Sequence, residues 1–259
     1  MHFIGLGVPQ KDVDALDYWQ EVSTKSTNTM HKPIATHMLG WMHYLGRGTQ
    51  RDEPKGVKLI RSNKSDEFPL GEENSLAAYG LTCSEELAAC KFFELCRLGS
   101  DQEWLCRHLM AVCLVQGFGT GKVQKKAAGI FAQLAAQNHG DSQHWLGTCH
   151  LCGWGAPKDE SKSFQWYSSS ASQDNSYGHY RLGGCYFRGW GVAQSQTMAL
   201  KSFRKSVEHG NRYGQYQMGF CHQFGIAASK NIGTAIFWYR KSAQQGNDYA
   251  VKRLEKLGK

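Results

Sequence analysis

No window of this sequence approaches eighteen consecutive apolar residues, which excludes a membrane-spanning helix of the usual kind. The opening residues, Met1 to Asp12, have no basic start followed by an apolar stretch. No secretory signal is therefore expected, and the reading places the chain in the cytoplasm. Runs of five or six like charges are also missing. The formal charge is +8, from 30 Lys and Arg against 22 Asp and Glu. That balance is compatible with acidic proteins, nucleic acid or anionic lipid and demands none of them; basic residues spread along the chain read as a solvated surface. Prolines are few, at five, whereas glycines number 29. Aromatic residues reach 12%, with eight Trp and eleven Tyr, and 41% of the 259 residues are hydrophobic. This is the composition of a chain that buries a core, not of a disordered one.

Glycine at that level needs a reason, because each one in a helix loses backbone entropy on folding. The reason is periodic. Ala127, Ser163, Ala199 and Ala235 recur every 36 residues, as do Cys113, Cys149, Cys185 and Cys221. Phe131, Tyr167, Phe203 and Tyr239 repeat the spacing with aromatics. Gly147, Gly183 and Gly219 repeat it with glycine, and Ala111 holds that place one unit earlier. Gly117, Gly153, Gly189 and Gly225 form a fifth series. Five residue classes in one phase define a repeat protein.

Each unit has two helical halves. In Tyr180 to Gly189, Leu182, Cys185 and Tyr186 follow helical spacing; in Ala235 to Ala243, Ala235, Trp238, Tyr239 and Ala243 share one face. Gly189-Trp190-Gly191 between the halves breaks the helix and permits positive φ. Gly210-Asn211 and Gly246-Asn247 suit a helix stop. The unit is thus helix–turn–helix, an antiparallel pair that cannot bury both faces alone and must stack on its neighbours. Gly183 and Ala199 are expected at a close helix–helix contact, with the aromatics at 203 and 239 filling the space around it.

Projected backwards, the phase defines a repeat over 31–68, with Leu39-Gly40, Gly46-Arg47-Gly48 and Gly56. It leaves a degenerate one over 69–102 that lacks the glycine pair, with Ser84 as the expected N-cap of its second helix. Further repeats occupy 103–138, 139–174, 175–210 and 211–247, followed by a C-terminal helix over 248–259. Residues 1–30 are a partial repeat in which Gly5, Gly7 and Ala15 keep the offsets. The chain starts in mid-unit: either it is a piece of a longer solenoid, or Phe3 and Ile4 form a makeshift cap.

The period, the Leu-Gly pair, the Gly-x-Gly turn and the Trp-Tyr helix together resemble the Sel1-like repeat family; the best unit is Gly153 to Tyr167. Tetratricopeptide repeats, with a period of 34 and no Gly-x-Gly turn, are the near alternative. The resemblance implies an all-α fold, a right-handed α/α superhelical solenoid of antiparallel helix pairs whose first helices line a concave face. It also implies an adaptor that binds a protein or peptide partner, or a regulatory repeat portion of a larger signalling or quality-control protein.

Signals of chemistry are weak. The phased cysteines occupy apolar packing positions on helices about 8–10 Å apart, beyond disulfide reach. Cys149-His150-Leu151-Cys152 lacks the second pair of a zinc site. Gly117 to Val123 resembles a phosphate loop, but Gln116 and Val123 stand where the pattern needs Gly and Ser or Thr. No serine–histidine–acid or paired-carboxylate pattern stands out, so no catalytic residue, cofactor or metal is expected. Ser168 to Ser172 read as small exposed helix residues. Some cysteine-rich relatives bind or hydrolyse β-lactams, which keeps one enzyme alternative open; nucleic-acid binding through the basic surface is another.

Two first-helix rows out of phase with the core are the candidate binding surface. One runs Met38, Leu109, Trp145, Arg181 and Gln217; the other runs Leu45, Gln116, Cys152, Arg188 and Phe224. Trp145, Arg181, Arg188, Gln217 and Phe224 are the expected partner contacts, since Trp and Arg dominate many interfaces. Phe118, Trp154 and Trp190, between the paired turn glycines, are expected to form an aromatic edge.

Overall fold

The computed structural model describes residues 11–259. The expectations for Gly5, Gly7, Phe3 and Ile4 fall outside the described residues. Fourteen α-helices supply the regular structure among the described residues, and the β features there reduce to one isolated bridge between Ser84 and Phe118. Contacts group the chain into two compact units: residues up to 137 with 154–157, and residues 138–153 with 158–259.

The first unit contains α1 (Asp12–Lys25), α2 (His31–Leu45), α3 (Glu53–Ser62), α4 (Glu72–Ser75), α5 (Leu87–Gly99), α6 (Trp104–Gln116) and α7 (Gln124–Ala136). The second contains α8 (Gly140–Cys152), α9 (Glu160–Ala171), α10 (Ser176–Arg188), α11 (Gln196–Glu208), α12 (Arg212–Phe224), α13 (Ile232–Gln244) and α14 (Asp248–Lys256). The pairs α2/α3, α6/α7, α8/α9, α10/α11 and α12/α13 are the helix–turn–helix units.

The turn chemistry follows from the two glycines. Gly189 closes α10 in the left-handed region at φ 76°, and Trp190 N–H bonds Cys185 C=O at 3.1 Å, the arrangement that satisfies the last carbonyls of a helix. Gly191, at φ 68°, lies against the Glu160 carbonyl at the start of α9, where a Cβ has no room. The second helix then begins at a side-chain cap: Asp159, Ser195 and Asn231, spaced by 36, accept from the N–H of Lys162, Met198 and Thr234.

The asparagines after Gly210 and Gly246 do more than end a helix. Asn175, Asn211 and Asn247 each cap the following first helix, Asn211 by accepting from Tyr213 and Gly214 N–H at 2.9 and 3.1 Å. Each also donates backwards, Asn175 to Asp141 Oδ1 at 2.8 Å and Asn211 to Ser176 Oγ at 3.3 Å. Ser170, Ser206 and Ser242, again 36 apart, donate to the carbonyls of Gly140, Ser176 and Arg212 at 2.6–2.8 Å. Ser170 is therefore a buried structural residue and not an exposed one.

The degenerate repeat departs from the pattern. α5 begins at Leu87, and Ser84 does not cap it; Ser84 pairs its backbone with Gly117 and Gly119 and accepts from Glu86 N–H. In place of a full first helix, residues 63–86 form an irregular segment with the single turn α4. Arg61 pairs with the buried Glu72 at 2.5 Å and ties this segment to α3. Phe68, Leu70 and Leu76 to Ala78 are buried.

Candidate partner-binding surface

The two rows behave differently in the two units. In the first unit the irregular segment lies on the first helices. Gln116 on α6 donates to Asn74 C=O at 3.0 Å and accepts from Thr82 N–H at 3.1 Å. His37 on α2 meets Ser75 Oγ at 3.2 Å and stacks edge-on with Phe68. Met38, Leu109 and Gln116 are fully buried. Burial corrects two candidates, one in each unit. Trp145, expected on the exposed row, is 0% exposed. Its row is apolar where it is buried, as Met38, Leu109 and Trp145, and polar where it reaches solvent, as Arg181 and Gln217. Phe118, expected on an aromatic edge, is also fully buried, with ring centroids 5.2 Å from Phe68 and 6.2 Å from Phe92. Trp154 and Trp190 are partly exposed.

In the second unit the other row does reach the surface. Cys152 and Arg188 are exposed and Phe224 is 50% exposed. Around Phe224 the structure assembles residues that the row alone did not include. Phe187 on α10 meets Phe220 on α12 at 6.1 Å, Phe220 meets Phe224 at 4.7 Å, and the Arg253 guanidinium from α14 lies 5.4 and 5.6 Å from their ring centroids. Arg253 is held above the ordinary arginine range by the neighbouring Tyr216 hydroxyl. Arg188 lies over Trp190 at 5.0 Å. Stacking of this kind uses the negative ring face to hold a guanidinium without a counter-ion. Arg181, half-buried, lies over Tyr180 at 5.7 Å.

The carboxylates of the chain are unevenly distributed along its sequence, and of the basic residues in 176–247 Arg181 and Arg188 lie on α10, while Lys201, Arg204, Lys205, Arg240 and Lys241 lie on the second helices α11 and α13. Residues 176–247 contain nine Lys or Arg and one carboxylate, Glu208, so this stretch holds the whole formal excess of +8. α10 and α12 contain no Asp or Glu. Neither Arg188 nor Arg253 has a carboxylate partner among the described residues, whereas in the first unit Arg47, Arg51, Arg61 and Arg97 are all ion-paired. Averaging the charge over the chain concealed this asymmetry.

The chemistry-bearing motifs are packing elements. Cys113, Cys149, Cys185 and Cys221 are buried, and burial pushes the Cys149 and Cys185 thiols up to about 12. All nine cysteines are free. Among the described residues no three His, Cys, Asp or Glu side chains are placed to hold a metal ion. The Gly117 to Val123 segment is the α6–α7 turn and has no strand before it. Among the described residues no helix is long and apolar enough to cross a membrane.

Helix pairs closed by a Gly-x-Gly turn, and packed glycine against aromatic, define an all-α helical-repeat protein. The family model of the Sel1 repeat matches residues 1–21, 33–62, 104–139, 140–175, 176–211 and 212–247, and the chain belongs to that family. Sel1 repeats are generally protein–protein interaction repeats, and proteins built from them are typically non-enzymatic scaffolds. The fold is similar to that of a Sel1 repeat protein from Oxalobacter formigenes, with 20% identity over 95% of this chain and 89% of that one and a TM-score of 0.62. It is also similar to c5321, a protective antigen present in uropathogenic Escherichia coli strains and displaying an SLR fold, with 25% identity and a TM-score of 0.58. That likeness covers 99% of this chain and 54% of c5321, so the chain spans about half of that protein's length. A comparison with curated proteins finds no match.

Proposed function

We propose that the chain is a protein-binding scaffold whose partner seats on the first helices of the second unit, around Arg188 and Phe224, with Arg181 and Gln217 alongside. The observation that supports this reading is the difference between the units. In the first unit the row residue Gln116 is held by the chain's own Asn74 and Thr82, while in the second Arg188 and Phe224 stand open. A half-exposed Phe beside an exposed Arg188 is the composition of an interface anchor, since aromatic and Arg side chains supply a large share of binding energy. The compartment in this reading is the cytoplasm, where thiols buried at packing positions, as the phased four are, stay reduced. The test is quantitative affinity capture from matched extract with wild type beside the Phe224→Ala/Arg188→Glu double variant, after both give the same helical melting curve. A partner retained by wild type and reduced at least tenfold by the variant supports the reading. Equal retention removes this surface from it.

A further inference from the structure

Resting on that reading, we infer that the partner of the second unit is an acidic, extended protein segment with at least one large apolar side chain, bound across α10, α12 and α14. The argument begins with counter-ions. The helices α10 and α12 carry no carboxylate, Glu208 on α11 is taken by Lys205 at 2.8 Å, and α14 carries Asp248 and Glu255 against Lys252, Arg253 and Lys256. Arg188 lies over Trp190, and Arg253 lies over Phe220 and Phe224 with a hydrogen bond to the Tyr216 hydroxyl. A guanidinium already positioned over a ring loses little further freedom on meeting a carboxylate, so the charge-assisted pair forms at low entropic cost.

The apolar part of the surface is continuous with these charges. Phe187, Phe220 and Phe224 touch in sequence, and Arg253 borders the last two. Arg188 and Phe224 occupy equivalent places in successive repeats. Equivalent helices stack about 10 Å apart, and an extended chain advances about 3.3 Å per residue. An acidic residue at Arg188 and an apolar one at Phe224 are then about three residues apart in the bound segment. Nucleic acid fits this face less well, since single-strand binding uses a basic groove that tracks the backbone and the arginines on α10 and α14 that reach the surface here are few, Arg181, Arg188 and Arg253.

The experiment is fluorescence anisotropy with the full chain and three labelled twelve-residue peptides. The first alternates Asp, Glu and Gly with Leu at every fourth place; the second replaces its acids by Asn and Gln; the third replaces its Leu by Ala. A labelled dT20 oligonucleotide and vesicles of anionic phospholipid are run in parallel. The acidic Leu peptide binds at least tenfold more tightly than either other peptide, and more weakly as NaCl rises. Arg188→Gln/Arg253→Gln reduces that binding at least tenfold, while Arg240→Gln/Lys241→Gln on α13 leaves it within twofold. Equal binding of acidic and amide peptides, full retention by the Arg188→Gln/Arg253→Gln variant, or tighter binding of dT20 or of vesicles overturns the inference. The capture assay separates the two levels. A partner lost with Phe224→Ala/Arg188→Glu whose bound segment is not acidic sinks the inference and leaves the scaffold reading standing. Loss of neither partner nor peptide sinks both.

Discussion

Phe203 on α11 lies against Gly183 on α10 so closely that a Cβ built on the glycine stands 2.5 Å from the ring. The same relation holds at Gly219 with Tyr239, at 2.6 Å, and at Gly147 with Tyr167, at 2.8 Å. The next residue, Gly184, has nothing within 4 Å of a Cβ. Gly183→Ala therefore forces the ring aside and destabilises the protein by about 1–3 kcal/mol. Gly184→Ala removes only backbone freedom from the unfolded chain and stabilises it by about 0.5–1 kcal/mol. Urea denaturation of the two variants reads the contrast, and equal effects would contradict the packing account.

The second turn glycine is replaced once. Ala227 stands after Gly225-Ile226, with φ 51°, in the region that disfavours a Cβ. Ala227→Gly is expected to stabilise by about 1 kcal/mol. Gly191→Ala, at φ 68° and against the Glu160 carbonyl, is expected to lower the melting temperature instead. A stabilising Gly191→Ala would show that this turn tolerates a side chain.

How much of this was legible depended on whether one residue class recurred at one place. Gly183, Gly219, Phe203 and Tyr239 announced the close helix contact because every repeat solves the same packing problem with the same residues. The caps Asn175, Asn211 and Asn247 and the serines Ser170, Ser206 and Ser242 carry an equally regular 36-residue signal. Asn after Gly reads locally as a helix end, which obscured its role at the next helix start. Row membership says where a residue points relative to its own helix, not whether it is covered, and Trp145 on α8 is 0% exposed. Its apolar character, set against Arg181 and Gln217, was the available clue. The segment over α2 and α6 was illegible, since residues 63–86 have no period and their contacts are long-range. Phe118 shared a phase with Trp154 and Trp190 but was buried by that same segment.

His37 makes the first unit sensitive to acid. Trp41 Nε1–H donates to His37 Nε2 at 3.3 Å, so the ring serves as an acceptor there. Burial lowers its pKa to about 3. Above about pH 6.5 the ring is neutral in both folded and unfolded chains. Between about 6.5 and 3 only the unfolded chain takes up the proton, so stability falls by about 1.4 kcal/mol per pH unit over that window. Urea titrations at pH 7.5, 6 and 5 check the slope, and His37→Gln flattens it. An unchanged slope in the variant would assign the acid sensitivity elsewhere.

Thiol reactivity should divide along burial. Cys83 and Cys152 are exposed, whereas Cys96, Cys106, Cys113, Cys149, Cys185 and Cys221 are buried with thiols raised by desolvation. Alkylation of the native chain followed by peptide mass mapping should label Cys83 and Cys152 first, at least tenfold faster than the buried six. Rapid labelling of Cys149 alongside Cys152 would instead place the C-x-x-C at the surface.

The central claim is that a protein partner seats on the α10, α12 and α14 surface of the second unit. Photo-crosslinking tests it most directly, with a benzophenone amino acid placed in turn at Phe224, at Arg188 and at the exposed Gln133 on α7. The account predicts one shared adduct from positions 224 and 188, mapped to an acidic segment of the partner, and none from position 133. The same adduct from all three positions, or an adduct from position 133 alone, would contradict it.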